Sequence, residues 1–358
     1  MSRTLCQAIE LITSAFPKSR DVIVRTGEVI AMNPAMTMHV AATVETPFAF
    51  MVPPSIVKAL ARLGEFAMKV SESRVSVTST LGSLAFRPLT LPMQMPREAQ
   101  VFERHLDVAD ATSLCAAAKV VDGFDLVAPA NRGVSLVPRN GHWIAIGTNG
   151  KRFVARPIGT AGADQCGVTL PPDAARALAT VGVSTIELSQ TSARGRADGV
   201  SILSSLLLSG NTGNDLSLDK SYERFHRVLG AVEAEPRAAL LEADAVRTLH
   251  DVLAVGKAAG IAAVQLTGSV DCVSVVGQSA AGDAKDVKLG VKLPATASAF
   301  KAAVALDQFA DLLAIAVPVN KGVSLRVQPR WVAMRQDDED DGVAVLSQIL
   351  DHVEGEQS

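Results

Sequence analysis

The chain has 358 residues, of which 48% are hydrophobic, 20% charged and 4% aromatic, and its formal net charge is −3. This length suits two or three globular domains, and the composition is that of an ordinary globular protein. The small negative charge excludes nucleic-acid binding through a generally basic surface but leaves local basic patches open.

The four cysteines are far apart in sequence and form no paired spacing: Cys6, Cys115, Cys166 and Cys272. This arrangement argues against a zinc site and against a disulfide scaffold, and it favours a reducing compartment. The N-terminal segment has no continuous apolar core, so neither a signal peptide nor a membrane span is predicted. We therefore expect a cytoplasmic protein.

The first third of the chain combines helices with short strands. Apolar residues recur at helical spacing over residues 4–15, which predicts a helix that starts almost at Met1. Pro53-Pro54 predicts the first turn of a second helix that ends at Leu63, since proline is tolerated there. Short strands are predicted at residues 22–25, 28–32, 37–44, 66–70, 74–78 and 83–86.

The same order recurs in the middle third. Asn140-Gly141 and Asn149-Gly150 predict two tight turns that join three antiparallel strands over residues 134–155, because Asn and Gly tolerate positive φ. A second Pro-Pro pair, Pro171-Pro172, precedes a helix that parallels the one after Pro53-Pro54. The remaining predicted elements are a helix at 110–121 and strands at 185–189 and 200–208.

A third copy begins at Glu242. Its predicted helices cover residues 242–255 and 304–316, and its predicted strands cover residues 262–266, 270–276, 323–327, 331–335 and 343–346. Three units of helices followed by strands are therefore predicted. Each unit exceeds 100 residues, which is too long for a solenoid repeat.

The octapeptide Thr148-Asn149-Gly150-Lys151-Arg152-Phe153-Val154-Ala155, after a strand, an Asn-Gly turn and a strand, resembles a hallmark of the bacterial DNA polymerase III beta subunit, the replicative sliding clamp. That family has Ala-Thr-Asp-Gly-His-Arg-Leu-Ala here, so Asn149, Lys151 and Phe153 depart from it. Residues 221–229 resemble the family's Phe-Pro-Asp-Tyr-Arg-Arg-Val-Leu join between its second and third domains, and residues 33–40 resemble a first-domain strand. The turns taken alone fit any β-meander.

The resemblance covers essentially the whole chain and implies an α+β DNA clamp with three similar domains at residues 1–103, 104–235 and 236–358. Helices would line a channel, and antiparallel sheets would lie outside. The implied function is a polymerase processivity factor: a head-to-tail homodimeric ring around duplex DNA, without sequence preference and without enzymatic activity. The implied partners are DNA polymerase and a clamp loader, with no cofactor, no metal and no membrane.

The resemblance also implies two sets of site residues. A pocket between the second and third domains would bind a short, mostly apolar partner peptide through Thr148, Gly150, Lys151, Arg152, Phe153, Arg227, Val228, Ala344, Leu346, Ser347 and Gln348. Cations facing DNA phosphates would be Lys18, Arg20, Lys58, Arg62, Lys119, Arg132, Arg176 and Arg247, together with Arg3 and Lys257. The alternatives are that Phe153 and Val228 only pack an interdomain join and that the cations are ordinary solvated helix charges.

Ring closure in the resembled family pairs edge strands of the first and third domains. The candidates here are the strands around residues 74–78 and 270–276. Two departures from the family are the predicted start of the first helix, where the family has a short strand, and the C-terminal segment Leu346-Ser347-Gln348-Ile349-Leu350, where the family has Met-Pro-Met-Arg-Leu.

Enzymatic sites find little support in the sequence. The six histidines are scattered and make no recognisable triad or ligand spacing. The Gly-rich residues 209–214 lack the Lys-Ser/Thr of a phosphate loop, and the acidic residues 337–342 lack calcium-loop spacing and fit a solvated turn better. The main alternative to a clamp is a non-enzymatic β-rich scaffold or phage assembly protein without a DNA channel, and a metal or nucleotide enzyme comes third.

Overall fold

The computed structural model describes residues 3–16, 21–89, 91, 101–121, 132–161, 167–209, 216–279, 288–316, 321–335 and 342–347. These residues form the helices α1 (Leu5–Ala15), α2 (Pro54–Arg62), α3 (Thr112–Val121), α4 (Pro172–Val181), α5 (Leu216–Ala234), α6 (Ala243–Ala258) and α7 (Leu306–Ala316). The strands are β1 (Arg3–Thr4), β2 (Asp21–Arg25), β3 (Glu28–Asn33), β4 (Met36–Thr43), β5 (Phe50–Val52), β6 (Phe66–Val70), β7 (Val75–Ser79), β8 (Gly82–Phe86), β9 (Arg104–Asp107), β10 (Val134–Arg139), β11 (His142–Thr148), β12 (Arg152–Thr160), β13 (Val168–Leu170), β14 (Thr185–Leu188), β15 (Ser192–Ala197), β16 (Val200–Ser205), β17 (Leu208–Ser209), β18 (Ala239–Leu241), β19 (Ile261–Ser269), β20 (Cys272–Ser279), β21 (Lys288–Ala297), β22 (Phe300–Ala305), β23 (Val323–Gln328), β24 (Trp331–Arg335) and β25 (Val343–Ser347).

Local chemistry sets several helix ends close to their predicted positions. The hydroxyl of Thr4 accepts from the backbone N–H of Gln7, and the Gln7 side chain accepts from the backbone N–H of Thr4. This capping box starts α1. Both predicted Pro-Pro helices, α2 and α4, have a proline in the first turn. Gly182 ends α4 with φ of +68°, a conformation that glycine adopts without strain.

The structure also corrects some predicted elements. A two-residue strand, β1, precedes α1 and pairs in parallel with β4, so the chain does not start directly with a helix. Residues 221–229 belong to the 19-residue helix α5. The predicted strand at residues 200–208 is divided into β16 and β17, and β5, β9, β13, β15, β18, β21 and β22 were not predicted.

Contacts along the chain divide it into two compact units. The first comprises Met1–Cys115, Pro138–Trp143 and Ile158–Gly213, and the second comprises Ala116–Val137, Ile144–Pro157 and Asn214–Ser358. The three domain boundaries near residues 103 and 235 stay a prediction. Within the described residues, no helix combines the length and apolarity that a membrane span needs.

The first unit is built on a nine-stranded sheet with the order β5-β2-β3-β4-β16-β15-β14-β9, with β1 beside β4. Helix α1 packs against β3, β4, α2 and α4. Its side chains Ile9 and Ile12 are buried because their spacing places them on one helical face. A separate three-stranded sheet has the order β6-β7-β8.

The second unit contains an antiparallel sheet that runs β12-β25-β24-β23-β18-β21-β20-β19-β22. Its core lies between these strands and the helices α6 and α7, where Val246, Leu249, Phe309 and Leu313 are almost fully buried. The ladder between β12 and β25 places Phe153 opposite Val345. A strand from the middle of the chain is thus joined to the last described strand.

The two strands predicted to close a ring are interior strands, so that prediction is wrong. β7, which covers most of residues 74–78, pairs with β6 on one side and β8 on the other. β20 likewise pairs with both β19 and β21. An interior strand has both rows of backbone groups engaged and cannot receive a further strand. The end strands of these two sheets are β6 and β8 in one and β17 and β22 in the other.

Candidate functional site

A cavity of about 470 Å³ lies in the second unit. Its wall is formed by the turn between β11 and β12, by one face of α5, and by β24 and β25 with the turn before β24. Such a volume is in the range of sites that bind small molecules or short peptide segments. The lining residues are Thr148, Gly150, Lys151, Arg152, Phe153, Arg224, Phe225, Arg227, Val228, Ala231, Val232, Arg330, Trp331 and Val345.

The β11–β12 turn is held by hydrogen bonds from side chain to backbone. The Oδ1 atom of Asn149 accepts from the backbone N–H groups of Lys151, at 3.1 Å, and Arg152, at 2.8 Å. The Thr148 hydroxyl donates to the Arg152 carbonyl at 2.8 Å and accepts from the Gly150 N–H at 3.2 Å. Asn149 is only 3% exposed. Its amide oxygen can therefore supply the acceptor that an aspartate would supply, so the departure from the family motif leaves the turn intact.

The floor of the cavity is apolar. The ring centroids of Phe153 and Phe225 are 6.0 Å apart with an interplanar angle of 53°, a distance at which aromatic pairs attract. Phe153 is 7% exposed and Phe225 is 3% exposed, so both rings are largely covered. Val232 and Val345 are also buried. An apolar side chain placed here would lose contact with water on several sides.

Cations surround this floor. Lys151, Arg224, Arg227 and Arg330 are exposed, whereas the Arg152 side chain is only 12% exposed. The guanidinium of Arg152 lies 3.7 Å from the carboxylate of Asp311 on α7. The described residues that line the cavity include no Asp or Glu.

Asp311 links the cavity to α6. Its Oδ1 accepts a hydrogen bond of 3.0 Å from the ammonium group of Lys257. This hydrogen bond and the charge of Asp311 raise the pKa of Lys257 above its ordinary value. Asp307, one turn earlier on α7, lies 3.9 Å from the same ammonium group.

The cavity brings together most of the predicted pocket residues: Thr148, Gly150, Lys151, Arg152, Phe153, Arg227 and Val228. Ala344 does not line it, because its side chain is fully buried in the core of the second unit. Leu346 and Ser347 belong to β25, where they stand opposite Arg152 and Trp331 in the ladders. Gln348 lies outside the described residues.

Sequence reasoning found Arg227 and Val228 but missed the rest of the lining that belongs to α5. Arg224, Phe225, Val228, Ala231 and Val232 recur at helical spacing and so share one face. A helix prediction over this segment would have found that face. Nothing in the sequence alone places Arg330, Trp331 or Val345 beside it, because they come from strands about a hundred residues further on.

The predicted phosphate-facing cations are spread over several helices. Lys58 and Arg62 are exposed on α2, and Lys119 is exposed on α3. Two others are occupied by carboxylates on their own helices: Arg176 lies 2.8 Å from Asp173 and Arg247 lies 3.1 Å from Asp244. Lys257, on α6, donates to the carboxylate of Asp311 on α7. The remaining ones are Arg132, which is exposed before β10, Arg3, which donates to the carbonyl of Asp198, and Lys18 and Arg20, which lie outside the described residues.

By sequence, no protein-family model and no curated protein matches the chain. Its structure does match solved proteins. The beta subunit of DNA polymerase from Streptococcus pyogenes is 16% identical, with a TM-score of 0.68, and the match covers 96% of this chain and 97% of that one. The DNA polymerase III subunit beta from Pseudomonas aeruginosa is 14% identical, with a TM-score of 0.70 and 97% of each chain covered.

The sliding clamp (DNA polymerase III subunit beta) from Bartonella birtlesii is 14% identical, with a TM-score of 0.71 and 96% of each chain covered. These matches extend over nearly the full length of both partners. The chain therefore has the sliding-clamp fold of the DNA polymerase III beta subunits, and the predicted α+β fold class is confirmed.

Proposed function

We propose that the chain is a DNA sliding clamp that acts as a polymerase processivity factor. The observation that carries this proposal is the likeness to DNA polymerase III beta subunits over 96% or more of the chain. The cavity supports it, because the turn and α5 that line it hold the two segments that resemble the family's motifs. The proposed partners are duplex DNA and a polymerase.

The proposed mechanism is topological and needs no catalysis or cofactor. A closed ring stays on DNA because the DNA passes through it, and a polymerase bound to the ring keeps a high effective concentration near its template. In this proposal the cavity holds a short apolar peptide of the polymerase and of a clamp loader.

The ring is proposed to be a head-to-tail homodimer. Head-to-tail contacts form a closed ring when repeating the rotation that relates neighbouring subunits brings the last subunit back to the first. We propose that β22 of one subunit pairs with β6 or β8 of the next. All three are end strands, and an end strand can accept a further strand.

Direct contacts to DNA are proposed to be few. Lys58, Arg62 and Lys119 are exposed, and no described carboxylate lies within ion-pair distance of them. Phosphate contacts of this type release counterions, so binding to linear duplex should be weak, independent of sequence and steeply dependent on salt. The double variant Lys58→Gln with Lys119→Gln should lower the salt slope by about two. Lys292→Gln, an exposed lysine on β21, is the control and should leave the slope unchanged.

The decisive experiment traps the protein on DNA by topology. The chain is mixed with linear duplex, the duplex is ligated into a circle, and the mixture is washed at about 0.5 M salt, which screens phosphate contacts. Retention on the circle and release after one restriction cut are expected, together with a solution mass twice the chain mass of 37.4 kDa. A monomer that is washed off circles and linear DNA alike overturns the proposal.

A further inference from the structure

The charged side chains among the described lining residues of the cavity are all positive. Among the described residues, five cationic side chains line it and no carboxylate does: Lys151, Arg152, Arg224, Arg227 and Arg330. The whole chain has a net charge of −3, so this accumulation is local rather than a consequence of composition. Clustered charge of one sign over apolar walls raises the local concentration of oppositely charged ligands.

Most of these cations have no carboxylate partner in the part of the chain that the structure describes. Among the described residues, no carboxylate lies within ion-pair distance of Lys151, Arg224, Arg227 or Arg330. This contrasts with Arg176, Arg194 and Arg247 elsewhere, each of which is beside an Asp or Glu on its own or the neighbouring element. These three arginines have a carboxylate partner among the described residues, and the four cations around the cavity do not.

Two of the cations repel each other. Arg224 and Arg227 are three residues apart on α5, a spacing at which like charges on a helix are neighbours and destabilise it. A ligand with negative charge between them would remove this repulsion.

Arg152 contributes a buried hydrogen-bond donor as well as a positive charge. Its Nε is buried and has no hydrogen-bond partner among the described residues. Its contact with Asp311 spans 3.7 Å, longer than a charge-assisted hydrogen bond. An oxygen acceptor supplied from the cavity would satisfy a group that is otherwise costly to bury.

The apolar floor decides between two kinds of anion. A nucleic acid would need exposed ring faces for stacking or a groove for its backbone, whereas Phe153 and Phe225 are largely covered. An apolar side chain fits the space between them, Val228 and Val345. A peptide supplies such an anchor and carboxylates on the same short segment.

We propose that this cavity selects peptides whose carboxylates flank an apolar anchor over neutral or basic peptides with the same anchor. The proposal rests on the proposed function of the cavity as the partner-peptide site. It adds that the partner is recognised by charge as well as by apolar contact, through Arg224, Arg227 and Arg330 at the rim and Arg152 deeper in the cavity.

The test titrates three blocked peptides into the full chain by calorimetry. The first is acetyl-Gly-Asp-Leu-Asp-Phe-Gly-amide, and the others replace both Asp residues by Asn or by Lys. The acidic peptide should bind about tenfold more tightly than the neutral one at about 0.05 M salt, and the difference should fall to about twofold at about 0.5 M salt. The basic peptide should bind most weakly.

Variants assign the effect to the cavity. Arg227→Gln combined with Arg330→Gln should reduce the preference for the acidic peptide to about threefold or less, since two partners for its carboxylates are removed. Lys292→Gln removes one exposed cation away from the cavity and should keep the full preference. Ala231→Trp, on the exposed face of α5, fills the cavity without a change of charge and should abolish binding of all three peptides.

The other possible results separate a failure of charge selection from a failure of the peptide site or of the clamp function. Equal binding of the three peptides, all lost in Ala231→Trp, overturns charge selection and leaves the cavity as a peptide site. Tighter binding of single-stranded oligothymidylate than of the acidic peptide, or no binding of any peptide, also overturns the proposal. A protein that stays on circular DNA while it binds the three peptides equally refutes charge selection alone, because the clamp function is measured separately.

Discussion

The guanidinium of Arg152 lies 3.7 Å from the carboxylate of Asp311, and that carboxylate also accepts a 3.0 Å hydrogen bond from Lys257. Arg152 belongs to β12 and lines the cavity, Asp311 belongs to α7, and Lys257 belongs to α6. Asp311 is thus the described carboxylate nearest to the cations of the cavity, and it contacts one of the guanidinium groups that we propose to receive a ligand carboxylate.

Replacing Asp311 with Asn should therefore strengthen binding of an acidic peptide. The variant removes a competing anion and leaves Arg152 in place, and partly exposed pairs are worth about 0.2–1 kcal/mol, or roughly 1.4- to fivefold in Kd. Calorimetry with the acidic and neutral peptides measures it. Asp307→Asn is the matched control, since Asp307 contacts Lys257 but not Arg152. A loss of affinity in Asp311→Asn would mean that Asp311 orients Arg152 rather than competing for it.

Asn149 should be replaceable by Asp but not by Ala. Its Oδ1 accepts from two backbone N–H groups in a turn where the side chain is 3% exposed. Asn149→Ala leaves both donors without that acceptor and should cost about 1–3 kcal/mol of unfolding free energy. Asn149→Asp keeps the acceptor and should stay within about 1 kcal/mol of the original chain. Urea unfolding measures both, and equal losses would contradict this role.

Two glycines should respond to alanine in opposite ways. A Cβ on Gly147 of β11 would lie 2.0 Å from the carbonyl oxygen of Ala117 on α3, and that oxygen cannot move without the helix. Gly147→Ala should therefore destabilise the chain by about 2 kcal/mol or more. A Cβ on Gly230 of α5 meets nothing within 4 Å, so Gly230→Ala should stabilise it by about 0.5–1 kcal/mol. Thermal unfolding of the two variants is the measurement, and shifts of the same sign would refute this reasoning.

Glu187 should make the first unit sensitive to acid. Its Oε2 accepts from the Nε of Arg194 at 2.5 Å and the Nε of Arg196 at 3.2 Å. The hydrogen bond from Arg194, aided by the charges of both arginines, lowers the pKa of Glu187 below its ordinary value of 4.5. The folded chain thus binds this proton less readily than the unfolded chain. The resulting stability is complete above pH 4.5 and is lost as the pH falls through the lower folded-state pKa.

Glu187→Gln should remove that part of the pH dependence. The unfolding free energy of the variant, measured by urea titration from neutral pH to about pH 3, should fall less steeply below about pH 4.5 than that of the original chain. Glu72→Gln is the control, because Glu72 is exposed and makes no ion pair with the described residues. If the unfolding free energy of Glu187→Gln fell as steeply in acid as that of the original chain, Glu187 would not be a source of the acid sensitivity.

Features set by neighbouring residues could be predicted from the sequence. The cap at Thr4 depends on Gln7, three positions on, and the turn after Thr148 depends on atoms within four residues. The two Pro-Pro helix starts depend on the fixed φ of proline. The motif at residues 148–155 also led to the correct fold. Its turn chemistry is local, and it occurs in the same order relative to the other family-like segments as in the DNA polymerase III beta subunits.

Features set by partners distant in sequence required the tertiary structure. β7 and β20 each look like any half-apolar strand, and only the strands on both sides make them interior. Phe153 and Arg152 could be chosen from the motif, whereas Trp331, Val345 and Arg330 join them only because β12 pairs with β25 and β25 with β24. The contact between Arg152 and Asp311 likewise depends on where α7 packs. Strand pairing and helix packing satisfy backbone and apolar groups across the whole chain at once, so no local segment contains the information that fixes them.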